Sequence, residues 1–350
     1  MRFYCWILFF ICVTFGQIAR PKLHVDENGS FRVAQFTDLH FEGNDKDPLT
    51  VEVMKKLIGY AHPDFIALSG DAIGGYAWDK KTPNWFYNEW TKCTSAMNDT
   101  KTFYGYTLGN HDAEGDLSRE EIMRLDMTHP YSMSEVSPEG VVGGSNFVVP
   151  VYAHNDDTKV VLTLWFLDSN DYNCSNVYGY GCIDTTAIEW YIKKSKEFEQ
   201  KEGYVVPGLA FFHIATPEYL TAWAHFNGTG YKKEHSGCSS VNSGFIAAAL
   251  QRKDIKGTYV GHDHAIDFEI DYYGIHLSHG RKTGVAGYGP SENVKRGSRI
   301  IDVTVTGTND MKLDSWILNE DGEKEVRTEL MGDVTIHQDI CNRSKTPRLY

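Results

Sequence analysis

The chain has 350 residues, of which 41% are hydrophobic and 13% aromatic, so it can bury a sizeable core in one large or two small domains. This composition excludes an intrinsically disordered protein. The formal net charge of -13 at pH 7 argues against a nucleic-acid-binding surface, which requires a basic patch. It leaves a phosphate substrate open, because bound metal cations reverse the local potential.

Residues 1–19 are predicted to be a secretory signal peptide. Arg2 precedes an apolar run over residues 3–15, and Gly16 and Ala19 offer small residues for cleavage. The run is shorter than the ~20 residues that a membrane-spanning helix requires, although an uncleaved anchor remains the alternative. No later stretch has the length and apolar character of a membrane span, so none is expected in the mature chain.

Cysteines and glycosylation sequons fit an oxidising secretory compartment. Cys174 and Cys182 flank a loop rich in Gly, Tyr and Asn and are predicted to form a disulfide, with two free thiols as the alternative. The sequence contains no CxxC pair, so a thiolate zinc site is not expected. The expected destination is extracellular, lysosomal or vacuolar. Five N-x-S/T sequons support a eukaryotic glycoprotein: Asn28, Asn98, Asn173, Asn227 and Asn342.

The first part of the chain predicts a strand–helix–strand unit. Residues 31–37 resemble a strand, residues 48–61 carry apolar side chains at helical spacing, and residues 65–68 are a second apolar strand. Such a unit implies a parallel pair of strands. Ligands in open α/β sheets bind at the carboxyl ends of such strands, so polar residues that follow these runs are candidate site residues.

Apolar periodicity and helix-start signals predict the later elements. Ser118 and Glu121 form a capping-box pattern that opens a helix over residues 119–127, and Thr186 and Glu189 form a second one, for a helix ending near residue 202. Helices are further predicted over residues 85–97 and 243–251 and from Pro217 onward. The predicted strands span residues 102–108, 147–151, 160–167, 209–212, 255–260, 268–278, 299–306 and 312–317.

One domain is the economical interpretation, because the sequence shows neither an internal repeat nor a linker that would divide it. We expect this domain to span residues 23–318. The charged segment 319–350 is expected to be a peripheral C-terminal tail.

Potential metal ligands follow five of the apolar runs. Residues two apart in an extended segment point to the same side, so members of a D-x-H or H-x-H pair can face one centre. Mixed carboxylate and imidazole ligands suit Fe, Mn or Zn better than Ca or Mg. A lone Asp here could be a turn residue and a lone His an ordinary hydrogen-bonded group, but their joint placement favours a metal site. The candidates are Asp38 and His40, Asp71, Asn110 with His111, His213, and His262 with His264.

The tetrapeptide from Gly109 to Asp112 directly follows the predicted strand 102–108. Gly109 is expected to permit a sharp turn, and Asn110 offers a neutral oxygen to a metal. His111 can hold or release a proton near neutral pH, and Asp112 can orient its ring.

In this order the motifs resemble those of the calcineurin-like metallophosphoesterases: D-x-H, G-D, G-N-H-D, H and G-H-x-H. The resemblance is closest to the purple-acid-phosphatase-like branch of plants and fungi, through stretches such as residues 109–121 and 260–265. It implies a four-layer α/β/β/α sandwich with a dinuclear metal site at the strand ends. By resemblance, one metal is held by Asp38, His40, Asp71 and His264. Asp71 bridges to a second metal, which Asn110, His213 and His262 complete. The resemblance also makes His111 the catalytic acid, oriented by Asp112.

Gly74 departs from the pattern of true purple acid phosphatases, which carry an iron-binding tyrosine three residues after the Gly-Asp aspartate. Tyr76 lies five residues after Asp71, which is too far along the chain to assume equivalence. His40 can take the vacant ligand position, so we expect a metalloenzyme that is not purple.

The expected function is that of a secreted metal-dependent phosphatase acting on phosphoproteins or small phosphate monoesters. A hydroxide bridging two Fe, Mn or Zn ions would attack phosphorus while His111 protonates the leaving oxygen. A phosphodiesterase of the same chemistry is one alternative, and a catalytically silent, metal-binding secreted protein is another. The substrate pocket could be lined by residues 74–90, 225–235 and 279–288.

Overall fold

The structure, a computed structural model, describes residues 20–332 and Cys341. The predicted signal peptide and the sequon at Asn342 lie outside the described residues. Within them the helices are α1 (Asp47–Ala61), α2 (Trp85–Thr100), α3 (Arg119–Asp126), α4 (Thr185–Glu202), α5 (Glu218–His225) and α6 (Phe245–Arg252).

The strands of the described residues follow in chain order. The first nine are β1 (Leu23–His24), β2 (Ser30–Phe36), β3 (Phe65–Ser69), β4 (Tyr104–Thr107), β5 (Phe147–Ala153), β6 (Asp156–Phe166), β7 (Tyr172–Cys174), β8 (Val177–Tyr180) and β9 (Gly208–Phe211). The others are β10 (Gly228–Lys232), β11 (Ile255–Val260), β12 (Glu269–Tyr272), β13 (Ile275–His279), β14 (Gly297–Gly307), β15 (Asp310–Asn319), β16 (Lys324–Glu325) and β17 (Leu330–Gly332).

Two large sheets organise these strands. The six-stranded sheet has the order β16-β15-β14-β2-β3-β4, and the nine-stranded sheet has the order β1-β5-β6-β9-β11-β13-β12-β10-β17. Strands β2, β3 and β4 pair in parallel, as do β6, β9 and β11. The carboxyl ends of each parallel set therefore lie at one edge of its sheet.

The sheets stack face to face, with helices on the outer sides. Phe65 of β3 contacts Phe166 of β6 across the interface, with ring centroids 6.1 Å apart. Helices α1 and α2 pack beside the six-stranded sheet, while α4, α5 and α6 contact β6, β12 and β11 of the other sheet. A second apolar cluster lies beneath these three helices. The predicted four-layer α/β/β/α sandwich is confirmed.

Local signals explain how most elements begin and end. The Ser118 capping box is formed, and the parallel strand–helix–strand unit over β2, α1 and β3 is confirmed. The capping box predicted at Thr186 is wrong. The helix N-cap is Asp184, whose carboxylate accepts from the Thr186 backbone N–H, so α4 begins two residues earlier than the pattern indicated.

The segment after Asn319 contacts both sheets. Strand β16 pairs with β15, and β17 pairs in parallel with β10 of the other sheet. The buried Arg281 guanidinium binds Asp267 and also Glu325 of β16, with its Nη2 2.8 Å from Glu325 Oε2. We expected this segment to be a peripheral tail, but its strands pair with strands of both sheets. The domain limits of 23–318 stay a prediction.

Disulfides add two covalent links. The predicted Cys174–Cys182 bond is formed and closes the β7–β8 hairpin. A second bond, between Cys238 and Cys341, spans 103 residues of sequence, while Cys93 is a buried free thiol. None of the helices in the described part of the chain is long and apolar enough to cross a membrane.

Candidate metal centre

The strand ends bring the predicted ligands together as two groups at the meeting edge of the sheets. The ligand atoms of Asp38, His40 and His264 lie within 4.8 Å of one another, and so do those of Asp71, His213 and His262. All six side chains are buried. Thus β2, β3, β9 and β11 each deliver a ligand at or just beyond their carboxyl ends.

The first group is compact. His40 Nε2 lies 3.1 Å from His264 Nε2, and His264 Nε2 lies 3.4 Å from Asp38 Oδ1. The other ring nitrogen of His264 contacts the Tyr288 carbonyl at 2.8 Å. This outer contact orients the ring so that Nε2 faces the group.

The second group adjoins the first through Asp71. Asp71 Oδ2 lies 3.0 Å from His213 Nε2 and 4.0 Å from His40 Nε2, so one carboxylate reaches both groups. The His213 ring is oriented by a 2.9 Å contact between Nδ1 and the Ser69 carbonyl. The rings of His213 and His262 have centroids 5.1 Å apart.

Backbone conformation at the site is unusual for these residue types. Asp38, His40, Asp71 and His262 all have positive φ, between 49° and 73°. Such backbone costs on the order of 1–3 kcal/mol at a residue with a side chain and concentrates at functional sites. The strand ends therefore turn sharply, and the turns point each side chain toward the shared centre.

Two motif glycines are explained by close approach. A Cβ at Gly70, whose φ is +96°, would lie 2.4 Å from His213 Nδ1. A Cβ at Gly109 would lie 2.1 Å from Asp71 Oδ1. Gly109 has no positive φ in the structure, so its backbone conformation does not require glycine; the position is small because the Asp71 carboxylate needs the space.

Buried polar atoms without hydrogen bonds test whether the donor set suits a metal. Asn110 Oδ1 and His213 Nε2 are fully buried, yet neither makes an aligned hydrogen bond with a described residue, despite the close approach of His213 to Asp71. Such orphaned lone pairs are costly unless another partner satisfies them. The residues therefore fit a pair of cations with oxygen and imidazole ligands.

Burial and neighbouring charges shift the pKa values of the groups at the site. Burial alone would raise the pKa of both Asp38 and Asp71, but neighbouring imidazoles, chiefly His264 and His213 respectively, hold both pKa values below the usual range. Burial and the nearby His213 lower the pKa of His262 to about 3. Burial opposes protonation of His213, but Asp71 raises its pKa to about 9, so a cation bound there would displace a proton from that ring.

Arg119 fixes the loop that carries Asn110 and His111. Its Nη1 donates to the Gly109 carbonyl at 2.8 Å, and the guanidinium forms an ion pair with the buried Asp168. Asp112 accepts the backbone N–H groups of Gly109 and Asp71, at 2.7 and 2.9 Å. The two strand ends are therefore locked to each other through one buried carboxylate.

The partner of the His111 ring differs from the prediction. His111 Nδ1 lies 2.7 Å from Glu114 Oε2, whereas Asp112 is turned toward backbone N–H groups. The prediction that Asp112 orients the ring is therefore wrong, because a short helical turn places residue i+3 there instead. Burial opposes protonation, but Asp71 and Glu114 together raise the pKa of His111 to about 9.

Tyr76, Lys282 and Tyr172 are further neighbours of the centre that the motifs did not reveal. Tyr76 OH lies 3.3 Å from His40 Nδ1 and donates to Glu42. Its hydroxyl is therefore on the outer side of His40. Lys282 Nζ donates to the Asp38 carbonyl at 2.8 Å, and Tyr172 OH lies 3.5 Å from Asn110 Nδ2.

A cavity of about 130 Å³ opens beside the two groups. Its walls include His111, Tyr180, Glu234, Asp263 and Tyr288, together with Asp71, His262 and His264 from the two groups. Segments 225–235 and 279–288 were expected to line the pocket and do so through Glu234 and Tyr288. No residue of segment 74–90 is among the described lining residues; its Tyr76 instead packs against His111, with ring centroids 4.9 Å apart.

The model of the calcineurin-like phosphoesterase family matches residues 31–265 of the chain. The chain belongs to the calcineurin-like phosphoesterase family. It is 31% identical to the protein named probable inactive purple acid phosphatase 29 of Arabidopsis thaliana, over 81% of this chain and 79% of that one. It is 28% identical to phosphatase DCR2 of Saccharomyces cerevisiae, over 71% of this chain and 46% of the yeast protein.

A solved structure supports the same fold. A dimetal phosphatase from Danio rerio superposes with a TM-score of 0.54, at 10% sequence identity, over 83% of this chain and 99% of that one. Family membership and the phosphatase relatives identify the chain as a metallophosphoesterase, that is, a phosphoric ester hydrolase. The family and the two ligand groups indicate a dinuclear metal site.

Proposed function

We propose that the protein is a secreted phosphatase that hydrolyses phosphate monoesters with two bound Fe, Mn or Zn ions. The observation that carries this proposal is the convergence of two buried ligand groups, linked by Asp71, on one cavity wall. Asp38, His40, Asp71 and His264 would hold one ion. Asp71, Asn110, His213 and His262 would hold the other. Bound there, the ions would supply Lewis-acid polarisation of phosphate oxygens and a water acidic enough to attack phosphorus.

The chain's own residues would position and protonate the substrate. His111 lines the cavity, and because its Nδ1 is engaged by Glu114, its Nε2 is the nitrogen available to a leaving oxygen. Donation of a proton from Nε2 to that oxygen is worth ~10²–10⁴ in rate. Glu114 would fix the tautomer and orientation of the ring. Asp112 would act indirectly, by holding the Gly109 and Asp71 backbone.

Several observations support the secretory setting of this proposal. Two disulfides are formed, as expected in an oxidising compartment. The sequon residues Asn28, Asn173 and Asn227 are exposed, and Asn98 is half-buried on α2. We therefore propose an exported glycoprotein, in the extracellular space, a lysosome or a vacuole. Because Gly74 stands where an iron-binding tyrosine would be, we further propose that the metal-loaded protein is not purple.

Hydrolysis of p-nitrophenyl phosphate and of its bis-ester, with added Mn, Zn or Fe and a chelator control, tests the proposal. We expect metal-dependent turnover of the monoester in preference to the bis-ester. The His111→Ala variant should lose ~10²-fold or more in kcat while keeping its metal content. The matched control is His225→Ala, at the exposed end of α5, which should behave as the wild type.

Three results would contradict parts of this proposal. Preference for the bis-ester would make the protein a phosphodiesterase. No turnover of either ester with any metal would favour a metal-binding protein without catalysis. Loss of metal from His111→Ala equal to its loss of activity would remove the general-acid role.

A further inference from the structure

Four tyrosines surround the two ligand groups. The Tyr288 ring stacks on His264, with centroids 4.1 Å apart, and the edge-on Tyr180 ring lies 4.3 Å from His262. Tyr172 reaches Asn110, and Tyr76 packs against His111. Tyr76, Tyr172 and Tyr288 remain between 38% and 58% exposed, so their rings form the accessible rim of the site.

Two carboxylates, those of Glu234 and Asp263, lie on the cavity wall in addition to Asp71 and the histidines His111, His235, His262 and His264. Glu234 lines the cavity, and its Oε2 accepts the hydroxyl of Tyr288 at 2.9 Å, which places a carboxylate beside an aromatic ring. Asp263 lines the same cavity, and its buried Oδ2 accepts no hydrogen bond from a described residue. The described cavity wall contains no lysine or arginine. The buried Lys232 lies behind this wall, with its Nζ donating to the backbone carbonyl of Glu234 at 2.8 Å.

We propose that this cavity takes a small phosphate ester whose leaving alcohol carries a positive charge, of the quaternary-ammonium or amino-alcohol class. The inference rests on the proposed function and adds the identity of the leaving group. The phosphate would face the two ligand groups, and the cationic end would face Tyr288, Tyr180 and Glu234. Aromatic faces beside a carboxylate are the recognised surroundings of quaternary ammonium ions.

Size and charge both exclude the common alternatives. The cavity volume of about 130 Å³ is well below the ~300–1,000 Å³ of pockets for drug-sized ligands, so a small ester fits better than a nucleotide. An ester with an anionic leaving group would place its charge against Glu234.

The reaction balances as a simple hydrolysis. Water forms the new bond to phosphorus, and the bond between phosphorus and the alcohol oxygen breaks. The alcohol oxygen takes a proton from His111, and the proton released by the attacking water restores the ring. The products are the cationic alcohol and inorganic phosphate.

The test compares phosphocholine with 3,3-dimethylbutyl phosphate, a neutral ester of the same shape. Released phosphate gives kcat/KM for both esters in the wild type, in Glu234→Gln and in Tyr288→Leu. We expect the ratio of the two kcat/KM values to fall roughly 3- to 30-fold in each variant, mainly through the KM of phosphocholine. Because the ratio is compared between proteins, the intrinsic reactivity of each ester cancels.

Glu197→Gln is the matched control. Glu197 lies on the outer helix α4, ion-paired with Lys194, and removing it changes the net charge equally without touching the cavity. This variant should keep the wild-type ratio. Calorimetric binding of choline against 3,3-dimethylbutanol, with and without Glu234→Gln, gives a second readout that needs no turnover. Choline should bind more tightly, and the difference should shrink in the variant.

The outcomes separate this inference from the proposed function. If p-nitrophenyl phosphate is not hydrolysed with any metal, the proposed function fails. If it is hydrolysed but the wild type does not favour phosphocholine over its isostere, or the ratio is the same in Glu234→Gln, only the leaving-group inference fails. A higher kcat/KM for a lysine-flanked phosphoserine peptide than for phosphocholine would also overturn it.

Discussion

Both sheets of the sandwich contribute candidate ligands from the carboxyl ends of adjacent parallel strands, but the remaining strands of the two sheets are assembled differently. In the six-stranded half, β2, β3 and β4 are consecutive strands joined by α1 and α2, and they deliver Asp38, Asp71 and Asn110 in chain order. In the nine-stranded half, β9 and β11 are also adjacent and deliver His213, His262 and His264. The far edge of that second sheet, however, is completed by strands distant in sequence.

That difference is clearest at β10, which pairs with β17 across about a hundred residues of sequence. Arg281, which binds Asp267 and Glu325, and the Cys238–Cys341 disulfide reinforce the same region. The comparison teaches that local strand–helix units suffice to place ligands. Closing the larger sheet requires long-range charge pairs and a covalent bond. The following changes would break or sharpen this comparison.

Asp71→Asn should have the largest effect, because this carboxylate joins the two halves of the site. It lies 3.0 Å from His213 of the nine-stranded half and 4.0 Å from His40 of its own half. We expect metal content to fall below two ions per chain and kcat/KM to fall ~10³-fold or more, since metal catalysis is worth several kcal/mol. Metal analysis and kinetics check this, with the exposed Asp157→Asn as control. Two tightly bound ions in Asp71→Asn would contradict the bridging role.

Arg281→Met should have the next largest effect of a single substitution, on stability. The guanidinium is fully buried between Asp267 and Glu325, so its loss leaves the buried Asp267 with Arg327 as its remaining ion-pair partner. We expect the free energy of unfolding to fall by about 1.5–3 kcal/mol, measured by urea denaturation. The control Arg124→Met breaks an exposed pair on α3 and should cost less than ~1 kcal/mol. Equal losses in both variants would show that β16 and β17 do not depend on this pair.

Removing each disulfide in turn should show that the long-range bond contributes more to stability than the short-range one. The Cys238→Ser/Cys341→Ser variant opens a loop of 103 residues, whereas Cys174→Ser/Cys182→Ser opens one of 8. Chain-entropy arguments predict losses of ~4.7 and ~2.5 kcal/mol respectively. Hydrogen exchange should show β10 and β17 losing protection in the first variant while β2, β3 and β4 keep theirs. Uniform loss of protection would mean that the halves unfold as one unit.

Acid should weaken a contact between the two sheets. Glu269 of β12 binds Arg299 of β14 at 3.0 Å, and although burial opposes ionisation, His276 and Arg299 lower its pKa from 4.5 to about 2. Because the folded pKa is below the unfolded one, this stabilisation is complete above about pH 4.5 and is lost as the pH falls toward 2.

Urea midpoints at pH 5 and pH 3 check this pH dependence. The stability difference between wild type and Glu269→Gln should shrink at the lower pH. The exposed Glu139→Gln serves as the matched control and should shift the midpoint less at both pH values. A difference that is constant with pH would contradict the lowered pKa of Glu269.

The predictable part of the molecule is the part encoded locally. Asp38, Asp71 and His262 each follow a short apolar strand, so a strand pattern plus the next few residues locates them. Parallel pairing then brings their strand ends together. The α/β/β/α layers were predicted from the resemblance to the calcineurin-like family, whereas the residue patterns themselves gave only the parallel strand–helix–strand unit.

The unpredicted part depends on geometry that adjacent residues do not encode. Glu114, rather than Asp112, contacts the His111 ring, because a short helical turn brings residue i+3 next to it. This i, i+3 spacing of His and Glu is visible in the sequence. The partners of β10 and of Cys238 could not be found, since strands β10 and β17 are short and carry no periodic pattern. Tyr172 and Tyr180 reach the site only because the Cys174–Cys182 hairpin folds over it.

The Cys238–Cys341 bond has a practical consequence for anyone preparing this protein. Gly237, next to Cys238, is so close to His262 that a Cβ there would lie 2.5 Å from His262 Nε2. Trimming the chain to the family-matched region, or producing it in a reducing cytoplasm, would leave the Cys238 thiol unpaired, next to the glycine that packs against His262, a proposed metal ligand. Samples made that way would invite mispaired dimers and misleading metal assays, so intact, oxidised material is the appropriate starting point.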